Sequence, residues 1–503
     1  MSATAESLST ASTDVSAIFT KLAENAPNLA LTSAEQRIAR LKKLIEVTLA
    51  YRQQAIEAVK KERDIHQCDI DAELMMIKVE AEFAIRNLKT WMAPQKVQGS
   101  MMTMGKKCYI HYEPKGVCLA IGAWNAPIAE ALVPAIGAIA AGNAVLIKPS
   151  ELSPHCSTLL AKMVAEIGPD NEITVVEGGA EVAQALLAQP FNHIFYIGSH
   201  NIGKLIAKAA ADHFASCTLE MGGKNPAIVD KSADIPEAAM KTAWGRMGNA
   251  GAMCVSPDYV LVDAAVKDQY IEEVKKALDS MYNADGKGAQ ASAEFGRIIN
   301  QRHWARIKGL LDDALAKGAE LLYGGETDEA DRYIAPTVIT GVTDDMTISK
   351  EEIFGPVMVI QPYDSRDEAI AETRKQPKPL SCYIFAKDRE VINWFLARTT
   401  AGNTVINHNV IQSGTNPYLP FGGVNASGNG RLGGWCTFAE ASNARSVVEE
   451  GPALMDPRLF FPPYQPKYQK MIEDMLLKSF HMPNGVINFI NGLISIKSLF
   501  SRK

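Results

Sequence analysis

The 503-residue chain contains no CxxC pair. Its eight cysteines, Cys68, Cys108, Cys118, Cys156, Cys217, Cys254, Cys382 and Cys436, stand singly along the chain. That spacing offers neither a zinc ribbon nor a disulfide framework, so no metal site is expected. Single scattered thiols fit a reducing compartment, where most act as small buried hydrophobes. No apolar run reaches the roughly 18–20 residues that a spanning helix needs. Basic residues are not in excess: 51 Lys and Arg face 57 Asp and Glu, a net charge of −6, which sets nucleic acid aside as a partner. The N-terminal stretch MSATAESLSTASTDVSAIF lacks the basic and apolar regions of a secretory signal, so a cytoplasmic location is expected. Its first dozen residues, rich in Ser and Thr, are expected to be loose.

What is present is the balance of a globular protein, 47% hydrophobic and 21% charged, long enough for two or three domains. Ser33 and Gln36 make a capping box ahead of Ile38, Leu41, Leu44, Ile45 and Leu49 at helical spacing. A second helix fits Asp71 to about Trp91. In residues 99–113, Cys108, Ile110 and Tyr112 alternate with Tyr109, His111 and Glu113, which predicts an extended ribbon. From Val117 the pattern turns to strand, turn and helix. VCLAIG and AVLIK flank a small-residue helix over 128–141; helices follow at 154–167, 180–188 and 201–213, alternating with strands ITVVE and HIFYI. Such alternation predicts a parallel sheet covered by helices on both faces. It restarts near residue 224 with AIV, helices at 234–248 and 266–282, and strands YVLV, VMVIQPY, LSCYIFA and NTVIN. Residues 435–448 are expected to end in a short apolar strand.

Five strings can carry chemistry. Asn125 lies in a strand-to-helix turn, where its amide can donate to an oxyanion or simply cap the helix. Lys148-Pro149-Ser150-Glu151 follows a parallel strand, the edge where such sheets bind ligands, though a helix start explains it too. Gly198-Ser199 opens a helix after strand HIFYI and can place backbone amides on a phosphate; its glycines, Gly198 and Gly203, do not make GxGxxG. Glu220 stands in LEMGGKNP and Cys254 in GNAGAMCVSPDY, a carboxylate and a thiol on two glycine-containing loops. Together they suggest covalent catalysis with a separate proton acceptor, although any one cysteine is more often inert packing. Glu351-Glu352-Ile353-Phe354-Gly355-Pro356 sets an acidic pair beside an aromatic, fit to hold a sugar and a ring or to lead into a strand.

In this order, LEMGGKNP, GNAGAMCVSPDY, KPSE, EEIFGP and PFGGVNASGNGR make the chain resemble an NAD(P)-dependent aldehyde dehydrogenase over about residues 85–450. CVSPDYVLV, EPKGVCLAIGAWNAP and FFPPY are most similar to the class 3, fatty and coniferyl aldehyde dehydrogenase group. The resemblance implies an α/β fold: a Rossmann-like NAD(P)-binding domain (1–98 and 114–223), a second α/β catalytic domain (224–423), a small β oligomerisation arm (99–113 and 424–450) and a C-terminal tail (451–503). It implies a homodimer and oxidation of a hydrophobic, aliphatic or aromatic aldehyde to its acid through a cysteine thioester. Carried over, Cys254 is the nucleophile, Asn125 an oxyanion donor and Glu220 the base for deacylation. Lys148 and Glu151 would bind the adenosine ribose, and Gly198 and Ser199 would lie by the pyrophosphate. Glu352 would hold the nicotinamide ribose, with Phe354 and Trp124 by the cofactor. Glu151 should repel a 2′-phosphate, which favours NAD, with NADP as the alternative.

Trp124, Met253 and Tyr259 can line a substrate channel or merely fill the core, and His408 can face the pocket or be structural. Ala252 stands where the family usually has Gln or another polar residue. Leu432-Gly433 replaces the group's Tyr-His, and Glu440-Ala441-Ser442-Asn443 its aromatic string. A CoA-acylating relative generally lacks the glutamate, so Glu220 argues against it; intact Cys254, Glu220 and Asn125 argue against a catalytically dead homologue. Residues 484–503, NGVINFINGLISIKSLFSRK, are too short and polar to span a membrane. They can lie in a membrane interface as a peripheral contact, or cover a substrate entrance.

Overall fold

Strands apolar on both faces need cover on both sides, and the chain supplies it with two helix-flanked sheets. The computed structural model describes residues 14–100, 103, 106–412, 416–450 and 461–477. The expected loose N-terminus and the tail at 484–503 lie outside the described residues. Among the described residues, no helix is long and apolar enough to cross a membrane. Those residues fall into two compact units, one of residues up to 86 with 114–441, the other of 87–113 with those from 442 onward.

The first unit opens on helices. Ser33 caps Ala34–Ala50 as its sequence predicts: the Gln36 N–H donates to Ser33 Oγ at 3.3 Å, and the Ser33 N–H to Gln36 Oε1 at 2.8 Å. The six-stranded sheet runs, in spatial order, Gly428–Asn429, Ser216–Met221, His193–Gly198, Val117–Ile121, Ala144–Lys148 and Ile173–Val175. Only Gly428–Asn429 is antiparallel. Chain order runs outward from Val117–Ile121 to Ile173–Val175, then returns to its other side at His193–Gly198. That reversal opens a crevice at the carboxyl ends of Val117–Ile121 and His193–Gly198, the place where doubly wound sheets bind ligands.

The seven-stranded sheet runs Glu320–Tyr323, Thr337–Thr340, Val357–Tyr363, Tyr259–Asp263, Pro226–Val229, Ser381–Phe385 and Asn403–Ile406. All but its first pair are parallel. Ala227, Ile228, Val229, Val260, Leu261 and Val262 are buried, which is why these strands read as unbroken apolar runs. Each fully buried Val, Leu or Ile contributes about 1.5–3 kcal/mol.

Among the described residues, helices Val15–Ala30, Arg52–Arg63, Gln301–Ala316, Arg366–Lys375, Arg389–Leu396 and Pro466–Leu477 carry no expectation from the sequence. Val15–Ala30 contains Pro27, and Arg52–Arg63 is rich in Lys, Arg, Gln and Glu, so propensity and periodicity both understate them. Residues 435–448 hold the helix Trp435–Glu440 before the strand Ser442–Glu449. Of residues 424–450, Gly428–Asn429 adds to the six-stranded sheet and Trp435–Glu440 packs on the helix Ala129–Ala141.

In the second unit, Lys107–Pro114 is the middle strand between Gln95–Lys96 and Ser442–Glu449. The Tyr109 hydroxyl donates to Glu449 at 3.0 Å, and Arg445 pairs with Glu113 at 2.8 Å. Most of Ser442–Glu449 is exposed, including Val448.

Candidate active site

The thiol of Cys254 is set by an unusual turn. Helix Ile235–Met247 stops at Gly248, and the next three residues are left-handed: Asn249 (φ 52°), Ala250 (φ 51°) and Gly251 (φ 77°). For two residues with side chains this costs about 1–2 kcal/mol each, so tertiary bonds must hold the turn. They come from far along the chain. The buried Arg63 donates through Nη1 to Asn249 Oδ1 at 2.6 Å and to the Asn125 carbonyl at 2.8 Å. Asn249 Nδ2 donates to the same Asn125 carbonyl at 2.9 Å and to the Ala252 carbonyl at 3.1 Å. The Asn125 and Cys254 loops are thereby one hydrogen-bonded unit, closed across Ala252 by Asn249. A Cβ on Gly251 would overlap the Gly355 carbonyl, which also accepts from Arg246.

The string LEMGGKNP holds the neighbouring loops. Glu220 is the fifth residue of Ser216–Met221 and registers with Ile197 on one side and Gly428 on the other. Past the glycines, Asn225 Nδ2 donates to the Cys254 carbonyl at 2.8 Å and the Ser256 carbonyl at 2.9 Å, while its Oδ1 accepts from the Ser381 N–H at 2.8 Å. Lys224 pairs with buried Asp258 and donates to the carbonyls of Ile348 at 2.9 Å and Glu351 at 3.1 Å. Asp258 in turn accepts from the Ile353 N–H at 2.8 Å, so this one string anchors both the cysteine loop and the EEIFGP turn.

Glu220 is 2% exposed, and its Oε1 has no hydrogen-bond partner among the described residues. Burial pushes its carboxyl up to about 7, opposed by a hydrogen bond with the Cys254 thiol. Burial likewise pushes the half-buried Cys254 thiol well above its ordinary value, assisted by the carboxyls of Glu220, Glu130 and Glu352. Glu352 Oε1 accepts from the Gly223 N–H at 3.0 Å, and a Cβ on Gly222 would strike that carboxylate. Burial raises the Glu352 carboxyl to about 8. Phe354, left-handed at φ 47°, meets Trp124 edge to face at 5.4 Å between centroids. Asn125 is buried.

Of the remaining expected residues, Lys148, Glu151, Gly198 and Ser199 border the switch-point crevice. Lys148 ends its strand, 3% exposed, with Nζ 3.0 Å from the Pro149 carbonyl and 3.2 Å from Glu151. Ser199 is the N-cap of helix His200–Asp212 but makes no side-chain capping bond, and Gly198 has no room for a Cβ against Tyr196. Tyr259 is buried beside Lys224, whose Nζ lies 5.8 Å from its ring centroid. His408 bonds its own neighbour, Asn409, at 2.9 Å and lies 6.2 Å from the ring of half-exposed Trp244.

Arg63, Asn249, Arg246, Asp258 and Glu130 carried no expectation. Asn249 and Asp258 stand inside the quoted cysteine string, where their polarity amid glycine and alanine was a usable signal. Arg63 belongs to a helix of surface-like composition, and nothing near it in the sequence marks it.

A switch-point crevice, an uncapped helix N-terminus beside it and a buried thiol–carboxyl pair define a dinucleotide-binding α/β oxidoreductase. The chain belongs to the aldehyde dehydrogenase family, whose model matches residues 3–447. It is 38% identical over 438 residues to the 4,4'-diaponeurosporen-aldehyde dehydrogenase of Staphylococcus aureus, covering 86% of this chain and 93% of that one. It is 40% identical over 399 residues to the dimeric NADP-preferring aldehyde dehydrogenase of Canis lupus familiaris, covering 79% and 86%. The substrate-bound structure of Staphylococcus aureus AldH superposes with a TM-score of 0.86 at 35% identity, over 91% of this chain and 99% of that one. The protein is thus an NAD(P)-dependent enzyme that oxidises aldehydes, and its likeness to the class 3 group agrees with the sequence reading.

Proposed function

We propose that the enzyme oxidises a hydrophobic aldehyde to its carboxylic acid through a thioester on Cys254. The observation that carries this reading is the hydrogen-bonded pair of Cys254 and Glu220, whose Oε1 has no hydrogen-bond partner among the described residues. Cys254 gives up its thiol proton to solvent, and Sγ adds to the aldehyde carbon. The Asn125 side-chain amide and the Cys254 backbone N–H hold the oxygen that becomes negative. NAD(P), when bound, supplies the hydride acceptor. Loss of the hydride leaves the acyl group on Cys254 as a thioester, and Glu220 then takes a proton from the water that attacks it. Acid departs and the thiol is restored.

The residues at the crevice suit the cofactor. The uncapped amides after Ser199 fit a pyrophosphate, and the buried Lys148 with Glu151 fits a ribose edge. Glu352, held at Gly223, fits the nicotinamide ribose, with Phe354 and Trp124 beside the ring. The exposed Glu151 carboxylate disfavours a 2′-phosphate, so NAD is the preferred coenzyme in this reading. Apolar Trp124, Phe354 and Met253 around the loops favour an aliphatic or aromatic aldehyde. The exposed strand Ser442–Glu449, at one edge of its sheet among the described residues, fits pairing of two chains as a homodimer.

The test is pre-steady-state. Cys254→Ala is expected to abolish aldehyde-dependent NADH formation, and Glu220→Gln to keep a burst of NADH while slowing steady turnover by about 100-fold. An active Cys254→Ala enzyme, or a Glu220→Gln enzyme with no burst and unchanged acyl hydrolysis, would overturn the assignment.

A further inference from the structure

Glu130 has no part in the steps above, yet it stands beside them. It lies in the first turn of helix Ala129–Ala141, directly after the Asn125 loop. The N-terminal amides of that helix are already taken: Ile128 and Ala129 donate to Glu73 Oε1 at 2.6 and 2.9 Å. Glu130 therefore caps nothing there. Its Oε2 is buried and has no hydrogen-bond partner among the described residues, like Oε1 of Glu220. The two carboxyls act on each other, and both act on the Cys254 thiol. Among the described residues no cation pairs with Glu130; Arg63, which acts on it, spends Nη1 on Asn125 and Asn249, and its Nε and Nη2 have no partner. Burial pushes the Glu130 carboxyl well above its ordinary value, assisted by Glu220 and Glu73 and opposed by the Ala123 amide and Arg63, so the protonated form is favoured.

A half-buried acid whose Oε2 is shielded from solvent and has no partner among the described residues, beside the reacting thiol, is matched by an oxygen on what binds there. We propose that Glu130 is a specificity-determining residue whose Oε2 hydrogen-bonds a hydroxyl or carbonyl oxygen that the aldehyde carries near its reacting carbon. The inference rests on Cys254 and Glu220 marking the acyl pocket. It narrows the substrate to aldehydes with an apolar body and one such oxygen.

The experiment compares kcat and KM for matched pairs, 2-hydroxyhexanal with hexanal and 3-hydroxybenzaldehyde with benzaldehyde, in wild type, Glu130→Gln and Glu130→Leu. The wild-type enzyme should favour the hydroxylated member of at least one pair. Glu130→Leu should lower kcat/KM for that member by about 100-fold, chiefly through KM, and leave its deoxy partner within a few-fold. Glu130→Gln, which keeps a donor and an acceptor, should restore most of the preference. Equal losses on both members, or a ratio unmoved by Glu130→Leu, would overturn the proposal. Cys254→Ala is assayed in parallel: if it stays active, the acyl pocket is misplaced and the inference falls with it. If it is inactive while the Glu130 ratio does not change, only the role of Glu130 fails.

Discussion

At the scale of single residues, the site is a balance of proton affinities. Burial holds Glu220 at about 7 and raises the Cys254 thiol much further, so the resting pair carries a neutral thiol beside a carboxyl that ionises near neutrality. Glu220 accepts a proton only when ionised. The hydrolytic step should therefore accelerate as pH climbs through about 7 and level off above it. Single-turnover acyl hydrolysis across pH 5.5–9 checks this, with Glu220→Gln expected to flatten the profile. A wild-type rate independent of pH in that window would separate Glu220 from the step.

Among the elements, the joint between the Asn125 and Cys254 loops matters most. Asn249→Ala removes one donor from the Asn125 carbonyl and a side-chain acceptor of Arg63 Nη1. It leaves a buried cation less satisfied, so a stability loss of about 2–4 kcal/mol is expected by thermal or urea unfolding. With both loops freed, kcat should fall by about 10-fold or more while the Kd for NAD, read by fluorescence quenching, stays close to wild type. A kcat that does not change would show that the joint supports the fold without setting the geometry of catalysis.

The elements also show what was legible beforehand. Helix 154–167 and the apolar strands of both sheets were readable because continuous burial leaves a continuous signal. Helix Arg52–Arg63 was not, because most of its residues are polar and only its last residue reaches the site. Glu220, Cys254, Phe354 and Trp124 could be read as candidates from local strings, and the fold brings them together. The bonds that hold them could not: Arg63 to Asn249 spans 186 residues and Asn225 to the Cys254 carbonyl spans 29. Local patterning carries no information about which distant partner closes such a bond. Glu130 was hidden for another reason, since an acidic residue in a first helical turn ordinarily reads as a dipole-favoured surface group.

For the whole molecule, the pairing of two chains proposed above would fall on the second unit. Ser442–Glu449 is the outer strand of its sheet and Val448 is 54% exposed. If two copies pair there, Val448→Asp should shift the protein from a dimer toward a monomer in light scattering. Folded content by circular dichroism should be retained. A dimer that persists at sub-micromolar concentration would place the interface elsewhere.

The neutral thiol has a consequence outside the reaction itself. Peroxides and electrophiles attack thiolates, and burial, assisted by three surrounding carboxyls, keeps Cys254 from becoming one at rest. The enzyme's most reactive atom is thus sheltered from the very compounds that circulate where aldehydes are made. A covalent inhibitor cannot rely on intrinsic reactivity here; it has to be shaped well enough to enter the pocket and draw the proton away before its warhead is of use.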